Sequence, residues 1–314
     1  MRNATIFPLG LGLGITLSIV VVGCSATPPG GTFGNSGGAA GEGGAGGSAG
    51  QGGAAGQGGA AGEAGSGGEG GFNFPTDGGM PDPQTPGEVF GHSAGTLYKL
   101  EPYSKQVTVI GNFQGCSSVI DLAIDKDSNI IATTFGGLYW IDKTNAKCTL
   151  ISNGSYPNSL SFVPAGTLDP NNDVLVGYQG STYVRISTTS GQVQQIGNIG
   201  SGFSSSGDIV SVKGGGTYLT VNGNGCGDCL IEVDPKTGAL VKNWGPTGYG
   251  SVFGIAFWAG SVYGFTDYGQ LFEMTFVNGQ LIISGEIPIP NAPGNLSFWG
   301  AGSTTIAPPE PPPK

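Results

Sequence analysis

The feature that most constrains the fold is a hairpin repeated along the C-terminal two thirds of the chain. Five copies of a strand, a short turn and a second strand follow one another, and their first strands begin at Leu97, Leu138, Tyr183, Leu230 and Leu271. These starts are 41, 45, 47 and 41 residues apart. The turns are rich in Asn, Gly, Ser and Thr, as hairpin connections require.

A period of about 40 to 50 residues with several short strands per unit is typical of a β-propeller. About five such units fit into residues 88–307. We therefore predict an all-β, five-bladed propeller over this range. A six-bladed ring with one degenerate blade and a β-sandwich are the alternatives, and the regular spacing argues against the sandwich.

A second pattern lies upstream of the hairpins and supports the same count. Five segments share one template, in which a polar residue or glycine is followed by Leu or Ile, a small residue and usually a bulky one. They are residues 121–124, 159–162, 208–211, 254–257 and 295–298. We predict that they are the inner strands of the blades, and that the last one joins the first hairpin to close the ring without open sheet edges.

This assignment places four polar side chains at one mouth of the central channel, and they are the predicted ligand-binding candidates. They are Asp121, Ser159, Asp208 and Asn295. Propellers commonly bind ligands at such a mouth, although the same side chains would serve equally to cap strand ends. We predict no catalytic residue, metal or cofactor, because His92 is the only histidine and no hydrolase motif accompanies it.

The N-terminus carries the pattern of an exported, lipid-anchored chain. Arg2 precedes an apolar run over residues 6–22, and Gly23 stands directly before Cys24. This arrangement resembles the lipobox of bacterial lipoproteins, which implies cleavage after residue 23 and acylation of Cys24, a stable membrane anchor. Because Ser25 rather than Asp follows, the resemblance points to the outer membrane. An uncleaved membrane-spanning helix is the alternative, and the apolar run is short for one.

The predicted tether, residues 24–87, is dominated by glycine. A glycine stands at every third position over residues 38–71, the period of a collagen helix, but this tract contains no proline. A flexible Gly/Ala-rich linker is therefore expected, with a trimeric or glycine-helix assembly as the alternative. Residues 308–314 form a short proline-rich tail.

The charge of the chain limits its partners. Removal of the signal peptide would leave 10 basic and 21 acidic side chains, a net charge of −11. Nucleic acid is therefore not an expected partner, since it requires clustered Lys and Arg.

Four of the five cysteines lie in the predicted propeller. Cys226 and Cys229 have the spacing of a redox or zinc motif, but the chain has no second such pair and its expected compartment is oxidising. A local disulfide is the prediction. Cys116 and Cys148 are candidates for a second one, provided that their Cα atoms lie close enough.

Anchor, tether and propeller together resemble the bacterial propeller lipoproteins with glycine-rich tethers. That resemblance implies a place in the cell envelope and brings no activity with it. We expect a non-catalytic binding module that recognises a glycan or another envelope protein. A structural envelope component and a propeller-type hydrolase or lyase are the alternatives.

Overall fold

The computed structural model describes residues 87–311. The predicted signal peptide, the lipidation candidate Cys24, nearly all of the predicted tether and the last three residues lie outside this range. Within this range every regular secondary-structure element is a β-strand. No helix in this range is long and apolar enough to cross a membrane.

Twenty strands form five antiparallel sheets of four strands each, which are the blades of the propeller. Blade 1 contains β1 (Val89–His92), β2 (Thr96–Leu100), β3 (Val107–Asn112) and, as its inner strand, β20 (Gly300–Ser303). Blade 2 contains β4 (Val119–Ile124), β5 (Ile130–Thr134), β6 (Gly137–Ile141) and β7 (Cys148–Asn153). Blade 3 contains β8 (Leu160–Val163), β9 (Val174–Gln179), β10 (Thr182–Ile186) and β11 (Val193–Asn198). Blade 4 contains β12 (Ser204–Ser211), β13 (Thr217–Gly223), β14 (Cys226–Val233) and β15 (Leu240–Pro246). Blade 5 contains β16 (Val252–Trp258), β17 (Ser261–Thr266), β18 (Leu271–Val277) and β19 (Gln280–Ile283).

The ring is closed by the two ends of the described chain. Strand β20 pairs with β1, with Ser303 opposite Val89 and Gly300 opposite His92. The last strand therefore completes the first blade and covers the edge that β1 would otherwise expose. The five-bladed prediction and the shared closing blade are confirmed, and the six-bladed and sandwich alternatives are wrong.

The strand predicted to close the ring is nevertheless the wrong one. Residues 295–298 form no strand, and Asn295 is exposed with a φ of 59°. Phe298 fits the inner-strand template although it lies in an irregular segment. It is buried there and packs edge-on against Phe265 and Tyr98. The true inner strand, Gly300–Ser303, has no bulky residue at all, since its backbone lies close against blade 2.

The hydrophobic core lies between the blades. Phe90 and Leu97 of blade 1 pack in one cluster with Leu122 of blade 2, and Tyr178 of blade 3 packs with Leu219 of blade 4. A larger cluster joins blades 4, 5 and 1. Each such side chain contributes about 1.5 to 3 kcal/mol when fully buried, so the contacts between blades stabilise the ring as a unit.

Both predicted disulfides are present. Cys116 is bonded to Cys148 with a Cα–Cα distance of 5.7 Å, which ties the segment entering blade 2 to its outer strand β7. Cys226 is bonded to Cys229 with a Cα–Cα distance of 5.5 Å, at the start of β14.

The two ends of the propeller axis differ in what they carry. All five inner strands begin at the same end, which we call the upper end, and finish at the lower end. The described chain enters at the lower end, where the Glu88 N–H donates to Thr304 Oγ1 at 3.2 Å. Glu88 also pairs with Lys99 and Lys143, and hydrogen bonds from these lysines outweigh burial and lower its pKa to about 2.

The described part of the proline-rich tail also lies at the lower end. The Pro308 carbonyl accepts a hydrogen bond from the Ala259 N–H at 2.8 Å, in the turn between β16 and β17. Pro309 and Glu310 are exposed. Both ends of the described chain therefore leave the propeller on the same side.

Candidate functional site at the upper channel mouth

Two buried aspartates hold the centre of the ring. Asp121 has no exposed surface, and its two carboxyl oxygens accept hydrogen bonds from two different blades. Oδ1 accepts from the Leu122 N–H of its own strand at 2.8 Å, and Oδ2 accepts from the Leu160 N–H of blade 3 at 2.6 Å. The side chain therefore bridges adjacent inner strands.

Asp208, equally buried, does the same for the other blades. Its Oδ1 accepts from the Ile209 N–H at 2.6 Å and its Oδ2 from the Ile255 N–H of blade 5 at 2.8 Å. The Ala301 N–H of blade 1 also favours its charged form. The N–H groups of Ile209, Ile255 and Ala301 occupy the same position in their inner strands as those of Leu122 and Leu160 do in theirs. Two side chains thus accept backbone N–H hydrogen bonds from the inner strands of blades 2, 3, 4 and 5.

The two carboxyl groups also interact with each other, and we call them the axial carboxyl pair. Burial raises the pKa of both, and the proximity of Asp208 raises that of Asp121 further. Their interaction raises the pKa of Asp121 and lowers that of Asp208, so Asp121 holds its proton more firmly than Asp208 does.

His92 completes the buried polar centre. Its Nδ1 lies 2.9 Å from the Ser93 carbonyl, which only accepts, so Nδ1 carries the hydrogen and Nε2 carries the lone pair. Nε2 is buried without a hydrogen-bond partner in the described chain. A Cβ at Gly300 would overlap both Nε2 and Asp121 Oδ1, so imidazole and carboxyl flank the same glycine. Burial lowers the pKa of His92 to about 4, which leaves the ring neutral near pH 7.

The structure brings three of the four predicted polar residues together. Ser159, like the two aspartates, is fully buried at the upper end, where its hydroxyl accepts from the Tyr178 N–H at 3.2 Å. Asn295 lies in the irregular segment before β20, and its placement in this ring was wrong. The equivalent positions in blades 5 and 1 are Gly254 and Gly300. None of the three buried side chains reaches solvent, and their observed hydrogen bonds are those of strand capping.

An open cavity of about 270 Å³ lies directly above these residues. Each blade contributes to it the residue that precedes the buried position on its inner strand. These five residues, which we call the mouth ring, are Ile120, Asn158, Gly207, Phe253 and Trp299. Sequence reasoning missed the mouth ring, although one signal was available, since each member stands one position before a buried residue of an inner strand.

Three further residues line the same cavity from turns and a strand. Phe135 lies in the turn between β5 and β6 with 74% of its surface exposed, and Asp267 lies in the turn between β17 and β18. Ser206 belongs to β12. The Ser297 hydroxyl donates to Asp267 Oδ1 at 2.7 Å and fixes that carboxylate. The lining is mainly aromatic and apolar, with a few polar groups, as in many small-molecule sites.

A larger cavity of about 760 Å³ lies at the lower end, but it belongs to blade 3 alone. Asp169, Asp173 and Arg185 are among its lining residues. Residues 87–311 contain no cluster of three or more His, Cys, Asp or Glu side chains placed to hold a metal ion. The mouth cavity is therefore distinguished by position, since all five blades build it.

Comparison with known proteins gives structural likeness only. No protein-family model matches the chain, and no curated protein sequence matches it. Hydrazine synthase of Kuenenia stuttgartiensis is 12% identical, with 64% of this chain and 63% of that chain covered and a TM-score of 0.37. The propeller domain of Cps50 (Swd1) from Myceliophteria thermophila is 10% identical, with 63% and 68% covered and a TM-score of 0.39.

A gluconolactonase of Xanthomonas campestris is 13% identical, with 63% of this chain and 70% of that chain covered and a TM-score of 0.41. The match to hydrazine synthase covers less than two thirds of that protein's chain. At these scores the likenesses carry no argument about function. The five-bladed assignment depends on the chain's own strand pairing.

Proposed function

We propose that this protein is a lipid-anchored cell-envelope lipoprotein whose propeller is a non-catalytic recognition module, with the mouth cavity as its binding site. The observation that carries the proposal is the position of the cavity relative to the chain ends. The cavity opens at the upper end, whereas Gly87, the first described residue, lies at the lower end. The proposed tether would therefore join the propeller at the end opposite the cavity.

The attachment point is well suited to such a role. Glu88 is held by Thr304 and by ion pairs to Lys99 and Lys143, which belong to blades 1 and 2. These contacts fix the first residues of the propeller at its lower rim.

The burial of the polar centre supports a non-catalytic role. Asp121, Asp208 and His92 are the obvious acid–base candidates of the axis, yet each is fully buried. The two carboxyl groups are occupied by backbone N–H donors, and a general base must come within hydrogen-bond reach of its substrate. Their contacts are those of a structural element.

Binding is tested with the full-length protein in detergent against a panel of polysaccharides and cell-envelope fractions. We expect saturable binding to one component, which Trp299→Ala and Phe253→Ala abolish. The matched control is Tyr268→Ala, because Tyr268 is 74% exposed at the same end but does not line the cavity. An equal loss of binding in the control, or binding that is unchanged in both mouth variants, would contradict the proposal.

Anchoring needs its own experiment. Cells expressing the wild type or Cys24→Ala are labelled with an alkyne fatty acid, and the protein is recovered from membrane fractions. We expect label and membrane retention in the wild type only. An unlabelled wild-type chain would refute the lipoprotein assignment and leave the recognition role to be judged by the binding panel.

A further inference from the structure

The mouth cavity combines aromatic rings with a single ionisable side chain. Phe135, Phe253 and Trp299 come from three different blades or blade junctions, and Asp267 is the only ionisable residue in the lining. None of these three rings stacks on another aromatic ring within residues 87–311. No aromatic neighbour therefore covers their faces, and all three side chains line the cavity.

The basic side chains of the propeller are confined to one end of its axis. The described chain contains nine of them, and all lie in lower turns or in the lower halves of strands, where most of the acidic side chains also lie. They are Lys99, Lys105, Lys126, Lys143, Lys147, Arg185, Lys213, Lys236 and Lys242. The upper end has no basic side chain in the described range, but it carries Asp228, Asp267 and Glu286. The face around the cavity therefore has acidic groups and no Lys or Arg.

The rings of the mouth lie above the uncharged or weakly charged backbone of the inner strands, so the side chain that can attract a cation here is Asp267. Its carboxylate provides a negative charge at the rim, oriented by Ser297.

From these contacts we propose that the mouth cavity binds an organic cation, an alkylated ammonium group enclosed by the rings of Phe135, Phe253 and Trp299 with Asp267 as its counter-ion. This inference depends on the proposed recognition role of the same cavity. Methylated ammonium groups present weakly acidic C–H groups to ring faces, the arrangement found in aromatic cages. An anionic ligand would meet acidic side chains and no Lys or Arg at this end.

The polar lining favours the cation over a neutral sugar. A sugar carries several hydroxyls around its ring edge, and each one buried without a partner costs free energy. The cavity offers side-chain partners only at Asn158, Ser206 and Asp267. A methylated ammonium group needs no hydrogen bonds, so the mainly apolar wall suits it.

The test measures the binding of choline to the full-length protein. Binding is monitored by the quenching of tryptophan fluorescence and by calorimetry. The neutral isostere of choline, 3,3-dimethyl-1-butanol, and a methyl glycoside are the comparison ligands. We expect saturable binding of choline, at least roughly tenfold weaker binding of the isostere, and a similar loss in Asp267→Asn. Phe135→Ala should also weaken choline binding, whereas Tyr268→Ala should not.

The outcomes separate this inference from the recognition role. Equal binding of choline and its isostere, or choline binding that survives Asp267→Asn, would overturn the cation proposal. If choline fails to bind but an envelope component still binds in a Trp299-dependent way, the cation proposal is wrong and the recognition role stands. If the mouth variants change neither choline binding nor the binding of an envelope component, both proposals fail. Thermal unfolding of each variant shows whether a lost signal reflects a lost fold.

Discussion

The axial carboxyl pair and the mouth ring are built from neighbouring residues of the same strands, yet they differ in every physical respect. Asp121 follows Ile120 and Asp208 follows Gly207. The register of β4 and β12 is irregular at these positions, and the aspartate of each pair enters the interior while the residue before it lines the cavity. The interior aspartates accept backbone hydrogen bonds, whereas the mouth ring contributes the aromatic side chains of Phe253 and Trp299 to the cavity. The difference separates what holds the ring together from what is available to a ligand.

The largest effect is expected at the axial carboxyl pair. Asp208→Ala would leave the N–H groups of Ile209 and Ile255 buried without an acceptor. At about 1 to 3 kcal/mol for each buried unsatisfied group, we expect the free energy of unfolding to fall by roughly 2 to 6 kcal/mol. Chemical denaturation measures this. The exposed Asp127→Ala serves as control and should change stability little; a comparably small effect of Asp208→Ala would show that the pair is dispensable.

The next effect concerns acid stability and His92. Its pKa is about 4 in the folded protein against 6.5 for an unperturbed histidine, so the unfolded chain binds the proton more readily. Stability from this group is complete above about pH 6.5 and declines as the pH falls towards 4, by on the order of 3 kcal/mol. The carboxyl pair contributes with the opposite sign, because raised pKa values favour the folded state as the pH falls.

The histidine contribution is isolated by comparing the wild type with His92→Phe across this pH range. We expect the difference in unfolding free energy between the two proteins to shift in favour of the variant on acidification. Parallel stability curves from pH 7 to pH 4 would contradict the buried, neutral state of His92.

A smaller loss is expected at Gly300, where a methyl group would overlap His92 Nε2 and Asp121 Oδ1. Gly300→Ala should destabilise the propeller by about 1 to 3 kcal/mol, as overpacked cores do. Gly95→Ala is a matched control, since a Cβ there meets nothing within 4 Å. Equal melting temperatures for the two variants would mean that the packing at the floor is looser than described.

The smallest effect on stability is expected in the mouth. Phe135→Ala removes a side chain that is 74% exposed, so the unfolding free energy should change by no more than about 0.5 kcal/mol. Binding at the cavity should nevertheless weaken measurably. A marked loss of stability together with unchanged binding would reverse the roles assigned to floor and mouth.

Much of this architecture follows from the sequence. The parts that could not be predicted share one cause. The hairpin period predicts five blades because each hairpin has its own turn residues and alternation. Asp121 and Asp208 are correctly placed near the axis, but nothing in the sequence shows that backbone donors from four inner strands converge on them. Such convergence is a property of the closed ring.

The closing strand escaped prediction for a related reason. Gly300–Ser303 has only small residues, because it lies where the backbones approach most closely, so it lacks the apolar pattern that identifies a strand. The neighbouring Leu296 and Phe298 supply that pattern from a loop. Trp299 was consequently assigned no place in the channel mouth, although it belongs to the mouth ring.

The central claim is that the upper mouth, and not the lower end, meets the ligand in the cell. The most direct measurement places a photo-crosslinking amino acid in the full-length protein at position 135, and in a separate strain at position 103, where Tyr103 is exposed at the lower end. We predict a discrete adduct from position 135 on irradiation of intact cells, absent when Trp299→Ala is added, and none of that size from position 103. The same adduct from position 103 alone, or an adduct from position 135 that persists with Trp299→Ala, would contradict the account.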